Sequence, residues 1–326
     1  MFQKKEGIKI HSPMDLTICI PAFNEVDLTL DCLASVPTAA GDLRVQVILI
    51  DNGSSDGTAQ KVGQNYPEVE IIRNGTNQGF AFAVNRGLER ALASKILILN
   101  NDTRLLPDSL KPLTIYMGET PSLGILGPRL VGEDGKRQNS IANFPTLTEI
   151  LIGKWILRIL FPRRYSGKGS QFHVPTEVES VVGAAILVRR EMVEQVGFFD
   201  ERFFFFFEET DLCRRAKQSG WKVGFFPGIE VIHKGGGSVQ KYESLKSIEY
   251  IRSLFLYFHK SDRGKYHFLQ ICYPVKILLE VLFYGLFLIF SLGFSTRANR
   301  RFRKKWASFR WIFRGSPDGV GLRAIK

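Results

Sequence analysis

The sequence predicts an α/β protein built on a doubly wound, mostly parallel sheet, and three observations carry that prediction. Short apolar runs alternate with helical stretches through the N-terminal third of the chain. The runs are apolar throughout, as strands covered on both faces are. Polar residues cluster just after each run, at the carboxyl ends where such sheets bind ligands.

Leu16–Ile20 (LTICI) reads as the first strand, stopped by Pro21, and helical periodicity follows from Val26 to Val36. Val45–Ile50 is a second strand, Thr58–Asn65 a helix and Val69–Arg73 a third strand. Gly79–Ala93 is amphipathic, with Phe80, Val84, Leu88 and Leu92 on one helical face, and Ile96–Leu99 is a fourth strand. Further on, Gly132–Gln138 reads as a turn between strands, Gln171–Glu179 as loop and Ser180–Arg189 as a strand with a Gly183-Ala184-Ala185 step. Arg190–Val196 is a helix ended by Gly197. Ile150–Phe161, with Lys154 and Arg158 four apart and Pro162-Arg163-Arg164 after it, reads as one helix. It either lies on a membrane surface or is buried with its basic heads snorkelling out.

The chain has 326 residues, 44 Lys+Arg and 32 Asp+Glu, for a net charge of +12. Residues Lys260–Lys326 hold 14 basic and 3 acidic side chains, a net of +11, which leaves +1 for Met1–His259. The charge therefore belongs to a C-terminal appendage, and a nucleic-acid-binding main domain is not implied. Two units are expected: 1–259 as a catalytic domain and 260–326 as a membrane-associating region. The four cysteines, Cys19, Cys32, Cys213 and Cys272, form no CxxC pair, so a reducing compartment is expected. The N-terminal stretch has no apolar signal-like core, which points to the cytosol.

Several segments can carry chemistry. Asp51-Asn52-Gly53-Ser54-Ser55-Asp56-Gly57-Thr58 follows a strand; its carboxylates can accept from a base or ribose, or simply cap the next helix. Asn100-Asn101-Asp102 follows a buried strand, where a carboxylate can hold a hard cation or merely end the strand. Five consecutive phenylalanines, Phe203–Phe207, are too apolar for an exposed loop and wall a pocket or fill the core. Glu208, Glu209 and Asp211 emerge from that wall, where a carboxyl pKa can rise toward general-base duty. A helix N-terminus enriched in acid is the simpler account of the acids, though not of the phenylalanines. His233 follows an IEVI run and precedes a triple glycine, a good position for a metal ligand.

Together these stretches resemble the family 2 glycosyltransferases of GT-A fold. TICIPAFNE, VILIDNGSSDGT, RNGTNQGFAFAVNRGL, ILILNNDT, VVGAAILVRR, GFFDERFFFFFEETDLCRR and VIHKGGGS fall in that family's order across Leu16–Val239. The later stretches look most like rhamnosyltransferase-type enzymes of bacterial polysaccharide assembly. The resemblance implies nucleotide-sugar contacts for Pro21, Ala22, Asn24, Glu25, Asp51, Asn52, Asp56, Asn77, Gly79 and Asn101. It implies Asp102 and His233 as ligands of Mn2+ or Mg2+, with Asn100 standing where the family's metal motif has its first Asp. Glu209 matches the general base, with Glu208 and Asp211 as further candidates. Glutamate there is one methylene longer than the family's usual aspartate. The Gln-x-x-Arg-Trp signature of processive synthases is absent.

The implied reaction is inverting transfer from a nucleotide-sugar donor, dTDP-rhamnose or a UDP-sugar, to a polyprenyl-diphosphate-linked glycan. An inactive nucleotide-sugar-binding scaffold subunit is the alternative from another class. Ile277–Phe294 has 18 residues and one charge, Glu280. As a helix it is roughly 27 Å long at ~1.5 Å per residue, close to a ~30 Å hydrocarbon core. Arg297–Arg314 then carries eight basic residues and no acids, with Trp306 and Trp311 among them, which suits an anionic membrane better than nucleic acid. Cytosolic donor and the positive-inside rule are both met by a re-entrant or in-plane helix pair, with Tyr266–Val275 as the other arm, at the cytoplasmic face of the plasma membrane. A soluble helix docked on the domain or on another subunit is the other reading.

Overall fold

A computed structural model describes residues 14–161, 172–235, 243–291 and 295–325. The expectations for the N-terminal stretch and for Pro162–Arg164 lie outside these, as do residues 236–238 of the glycine loop.

The first half follows the predicted rhythm: β1 (Leu16–Ala22), α1 (Val26–Ala40), β2 (Val45–Asp51), α2 (Thr58–Asn65), β3 (Glu70–Arg73), α3 (Phe80–Arg90) and β4 (Lys95–Leu99). Next come β5 (Thr103–Leu105), α4 (Leu110–Glu119), β6 (Leu123–Val131), β7 (Ile141–Ala142), α5 (Leu147–Ile152) and α6 (Lys154–Leu160). β8 (Thr176–Glu177), β9 (Ser180–Val181), β10 (Ala185–Arg189), α7 (Arg190–Val196), α8 (Glu208–Gln218) and β11 (Lys222–His233) complete the α/β part. Three helices follow: α9 (Glu243–Ser261), α10 (Arg263–Phe290) and α11 (Thr296–Phe313).

The main sheet has the order β3-β2-β1-β4-β10-β6-β11-β5, with β8 beside β11. β3, β2, β1 and β4 are parallel neighbours, as are β6 and β11. β10 runs antiparallel to both β4 and β6, and β5 and β8 antiparallel to β11. Strand alternation divides the interior in two. Leu16, Ile18 and Ile20 meet α1 and α4 on one face, while Cys19, Ile48 and Ile50 meet α3, α7 and α8 on the other.

Several boundaries differ from the sequence reading, each for a local reason. Pro21 does not stop β1. It pairs with Ile50, and its missing N–H faces the β4 side, where the ladder has already ended at Cys19. α1 runs past Val36 to Ala40, through Pro37. α3 ends at Arg90 because Ala91 turns extended, so Leu92 leaves the buried face and is 53% exposed. Ile150–Phe161 is not one helix: Gly153, at φ 88°, divides α5 from α6. Leu157 is buried there, whereas Ile152, Ile156, Ile159, Leu160 and Phe161 are exposed. The glycine step splits Ser180–Arg189 into β9 and β10.

The C-terminal helices have their own core. Ile248, Ile251, Leu254 and Phe258 of α9 pack with Leu269, Tyr273 and Ile277 of α10, Trp311 of α11 and Phe203. Tyr266–Val275 is not a separate arm. It continues through Pro274 into one helix, begun by Asp262, whose side chain accepts from Lys265 N. α10 is long and apolar enough to cross a membrane, with its outer face uncovered by the protein. Glu280, in its apolar second half, is paired with Lys305 of α11 at 2.6 Å and with Lys276 of the same helix at 3.6 Å.

Packing of α3 on the sheet leaves no room at Gly87. A Cβ there would lie 2.8 Å from Ile50 Cδ1 and 2.9 Å from Cys19 Sγ. Gly87→Val is expected to cost ~1–3 kcal/mol of stability by overpacking. Urea denaturation measures it, and an unchanged midpoint would contradict this close contact.

Candidate active site

The carboxyl ends of β1, β2, β4 and β11 open into one cavity of about 410 Å³. Its polar side begins with Asn52, which is buried. The Asn52 amide donates to Asn77 Oδ1 and the Gly79 carbonyl at 3.0 and 3.1 Å. Its oxygen accepts from Asn74 Nδ2 and Gln78 N. One side chain thus ties the loop after β2 to the segment before α3. Asp51 Oδ1 accepts from Ser54 N, and Asn24 Oδ1 from Ser55 N, so these residues shape the loop behind the cavity. Asp56 accepts from Val26 N at the start of α1 and from Thr58 N. Burial works to raise its pKa, but the hydrogen bond from the Thr58 hydroxyl, together with these two, prevails and lowers it. Of the residues given to the nucleotide sugar, Pro21, Ala22, Glu25, Asn52, Asn77, Gly79 and Asn101 line the cavity. Asn24, Asp51 and Asp56 brace it from behind.

β5 and β11 bring the next pair together. Their antiparallel register sets His233 opposite Thr103, and Lys234 N donates to the Asp102 carbonyl at 2.9 Å. His233 Nε2 then stands 3.5 Å from Asp102 Oδ1. Gln138 donates from Nε2 to the His233 carbonyl at 2.7 Å, which leaves its Oε1, 2.8 Å from Nδ1, to accept the ring proton. With the ring proton on Nδ1, Nε2 is the ring atom that faces the Asp102 carboxyl. Asp102 Oδ1 and Asn100 Oδ1 are buried beside it without a hydrogen bond. A ring nitrogen facing a carboxyl, with unsatisfied oxygens around it, is the donor set a divalent cation satisfies. Among the described residues no cluster of three or more His, Cys, Asp or Glu forms such a site. A cation held by Asp102 and His233 would need its remaining ligands from outside such a cluster.

The acids sit on the phenylalanine turn. Phe206 and Phe207 have φ of 73° and 68°, left-handed values uncommon for bulky residues. Phe80 N donates to the Phe204 carbonyl and Ser253 Oγ to the Phe205 carbonyl, both at 2.8 Å, which pins the turn. Gly79 makes room for it. At φ 94° its Cβ would lie 2.6 Å from the Phe204 carbonyl oxygen. Phe204, Phe205 and Phe206 thereby line the cavity, and α8 starts with Glu208 and Glu209 pointing into it. Burial holds the Glu208 carboxyl well above the usual range, and the neighbouring Glu209 charge adds to this. Glu208 Oε2 has no hydrogen bond. Burial also raises Glu209, opposed by helix N–H groups and the Thr210 hydroxyl.

Asp211 is a correction to the sequence reading. It does not line the cavity. It is buried in ion pairs with Arg215 at 2.8 Å and Lys260 at 2.7 Å, and Lys260 also holds Asp200 at 2.6 Å. These pairs fasten α8 to the end of α9. Gln138, Lys246, Leu322 and Ile325 contribute to the site without having been anticipated. Gln138 looked like the end of a turn, and the others fall in segments with no motif.

The family model for glycosyl transferase family 2 matches residues 17–197, more than half of the chain. This chain belongs to glycosyl transferase family 2. The match stops before the phenylalanine turn and His233, so the acid pair and the histidine of this transferase stand on its own geometry. The transferase is 33% identical over 218 residues to N-acetylglucosaminyl-diphospho-decaprenol L-rhamnosyltransferase of Mycobacterium tuberculosis, which covers 62% of this chain and 70% of the relative. It is 25% identical over 198 residues to dTDP-rhamnosyl transferase RfbF of Shigella flexneri, covering 58% and 60%. Among solved structures, the mannosyltransferase PcManGT of Pyrobaculum calidifontis, in complex with GDP-Man and Mn2+, aligns at a TM-score of 0.55. That alignment has 13% identity over 93% of this chain and 87% of the other, and it shows the GT-A fold.

Glu208 holds its proton more tightly folded than unfolded. Its contribution to stability is therefore present below the ordinary glutamate value of 4.5 and is lost as pH rises above it. Glu208→Gln removes that loss. The difference in unfolding free energy is expected to move in the variant's favour between about pH 4 and about pH 8. Denaturation across that range checks it, and a pH-independent difference would rule out a proton held at Glu208.

Proposed function

We propose that this transferase moves rhamnose from dTDP-rhamnose to a polyprenyl-diphosphate-linked glycan, with inversion at the anomeric carbon. The observation that carries the reading is the single cavity joining the Asn52–Asn77 loop, the Asp102–His233 pair and Glu209. The relatives named above support rhamnose as the sugar, and the mycobacterial one supports a lipid-diphosphate acceptor.

In this reading Asn52, Asn77 and Gly79 hold the donor along the carboxyl edge of the sheet, over the loop braced by Asp51. Asp102 and His233 would hold Mn2+ or Mg2+, which would supply positive charge against that of the departing diphosphate. Glu209, as carboxylate, takes the proton of the acceptor hydroxyl. That oxygen bonds to the anomeric carbon as the bond from carbon to the diphosphate oxygen breaks. One base and one displacement give inversion. A raised pKa suits Glu209 to this task, because basicity rises with it. Burial pushes the Glu208 carboxyl beside it toward the neutral form.

The helical foot suits the cytoplasmic face of the plasma membrane. α10 exposes Leu279, Leu282, Phe283, Leu286, Ile289 and Phe290, and α11 exposes Arg297, Arg300, Arg301, Arg303 and Arg310. Apolar contact with acyl chains and basic contact with anionic headgroups act together on one antiparallel pair.

Two measurements test the assignments. Glu209→Gln is expected to keep dTDP binding and to lose ~10²–10⁴-fold in transfer rate, since general-base help is of that size. Wild-type turnover would remove the base. Titration with Mn2+ followed by electron paramagnetic resonance tests the cation site. Gln138→Leu is expected to weaken binding by about 10–100-fold and Asp102→Ala to weaken it further. Isotherms matching the wild type would place the metal elsewhere.

A further inference from the structure

One wall of the cavity comes from a segment far from every catalytic motif. After α11 the chain folds back over α9, and Leu322, in a short 3-10 helix at Leu322–Ala324, lines the cavity with Ile325. The cavity is the one that Asp102, His233 and Glu209 line.

A dedicated cluster holds this segment. Glu249 of α9 is wholly buried and pairs with Arg252 at 2.7 Å and with Arg323 at 3.3 Å. Arg252 Nη2 donates to the carbonyls of Pro317, Asp318 and Val320. Arg323 donates to the Arg202 carbonyl at 2.8 Å and lies over the Phe204 ring at 5.6 Å. Burying a carboxylate is costly unless it is well paired. Here two guanidiniums provide the pairing, and the result is a fixed position for Leu322 and Ile325.

The chemistry of this wall differs from that of the asparagines in the same cavity. Asn52, Asn77, Asn100 and Asn101 supply the amides suited to a nucleotide sugar, whereas Phe204–Phe206, Leu322 and Ile325 are wholly apolar. Lys246 of α9 adds a cation to the lining. Tyr250, one turn on, packs on Phe206 with ring centroids 5.7 Å apart. An apolar wall beside the acid pair matches the hydrocarbon chain of the lipid-linked acceptor proposed above. The wall is also continuous with the foot, since Phe203 and Phe207 share the core of α9, α10 and α11.

We propose that Leu322 and Ile325, with Phe204–Phe206, form the acceptor subsite and recognise the first prenyl units of a lipid-diphosphate acceptor. Glu249, Arg252 and Arg323 are positioning residues for that subsite. The inference rests on the transferase reading above and names the part of the acceptor it selects.

The test uses the full chain, dTDP-rhamnose and two acceptors with the same sugar-diphosphate head, one bearing a ten-carbon prenyl chain and the other a methyl group. The wild type is expected to show a KM for the prenyl acceptor about tenfold lower. In a Leu322→Ala, Ile325→Ala double variant that preference, read as the ratio of the two acceptors' KM values, falls to about twofold. Arg323→Met, at a partly exposed side chain, is expected to lose the preference in the same way, which keeps the test open should the double variant fold poorly. Transfer to both acceptors by the wild type without preference, or a preference retained in both variants, overturns the subsite. No transfer to either acceptor by the wild type overturns the transferase reading, and the subsite with it.

Discussion

Phe206 and Phe207 lie in a backbone region that costs an aromatic residue of order 1–3 kcal/mol to occupy. That turn persists because contacts on every side hold it. Phe204 is seated against Gly79 and Phe80, Phe203 and Phe207 lie in the helical core, and Ser253 holds the Phe205 carbonyl. The donor loop, the acid pair and the foot all meet at this turn. An extended backbone there would send Glu208 and Glu209 out of the cavity and part the foot from the sheet.

Acids of the same element meet opposite fates within a few residues. Glu208 is buried and Glu209 half-buried at the cavity, and burial pushes both carboxyls toward the neutral form. Asp211, as buried as Glu208, has Arg215 and Lys260 against it and serves to join α8 to α9. Helical spacing separates them: 208 and 209 face the cavity, and 211 turns toward the last turn of α9. Their chemistry follows from which cations the fold brings near, not from residue type.

Elements whose ends carry local signals were legible in the sequence. Thr58–Asn65 and Arg190–Val196 have the bounds read from pattern alone. Where the deciding partner is distant, the reading failed. Pro21 looked like a stop because its neighbour β4, which ends first, is not visible in a linear string. Asp102 and His233 were legible as candidates through motif resemblance, but their meeting depends on β5, three residues long and too short to show a period. Gln138 fixes the histidine from across a turn and carries no signature. Leu322 and Ile325 follow a basic helix and look like ordinary connecting chain.

The return of the chain over α9 also bears on the order in which the molecule becomes complete during synthesis. Every acid and amide of the cavity has left the ribosome once His233 has emerged. The wall formed by Leu322 and Ile325 follows only after α9, α10 and α11. A nascent chain thus displays the acids and amides of the cavity in an open trough until the three C-terminal helices have been made. Closure of that trough waits on the segment that follows α11, so the cavity is completed only after the three helices have been made.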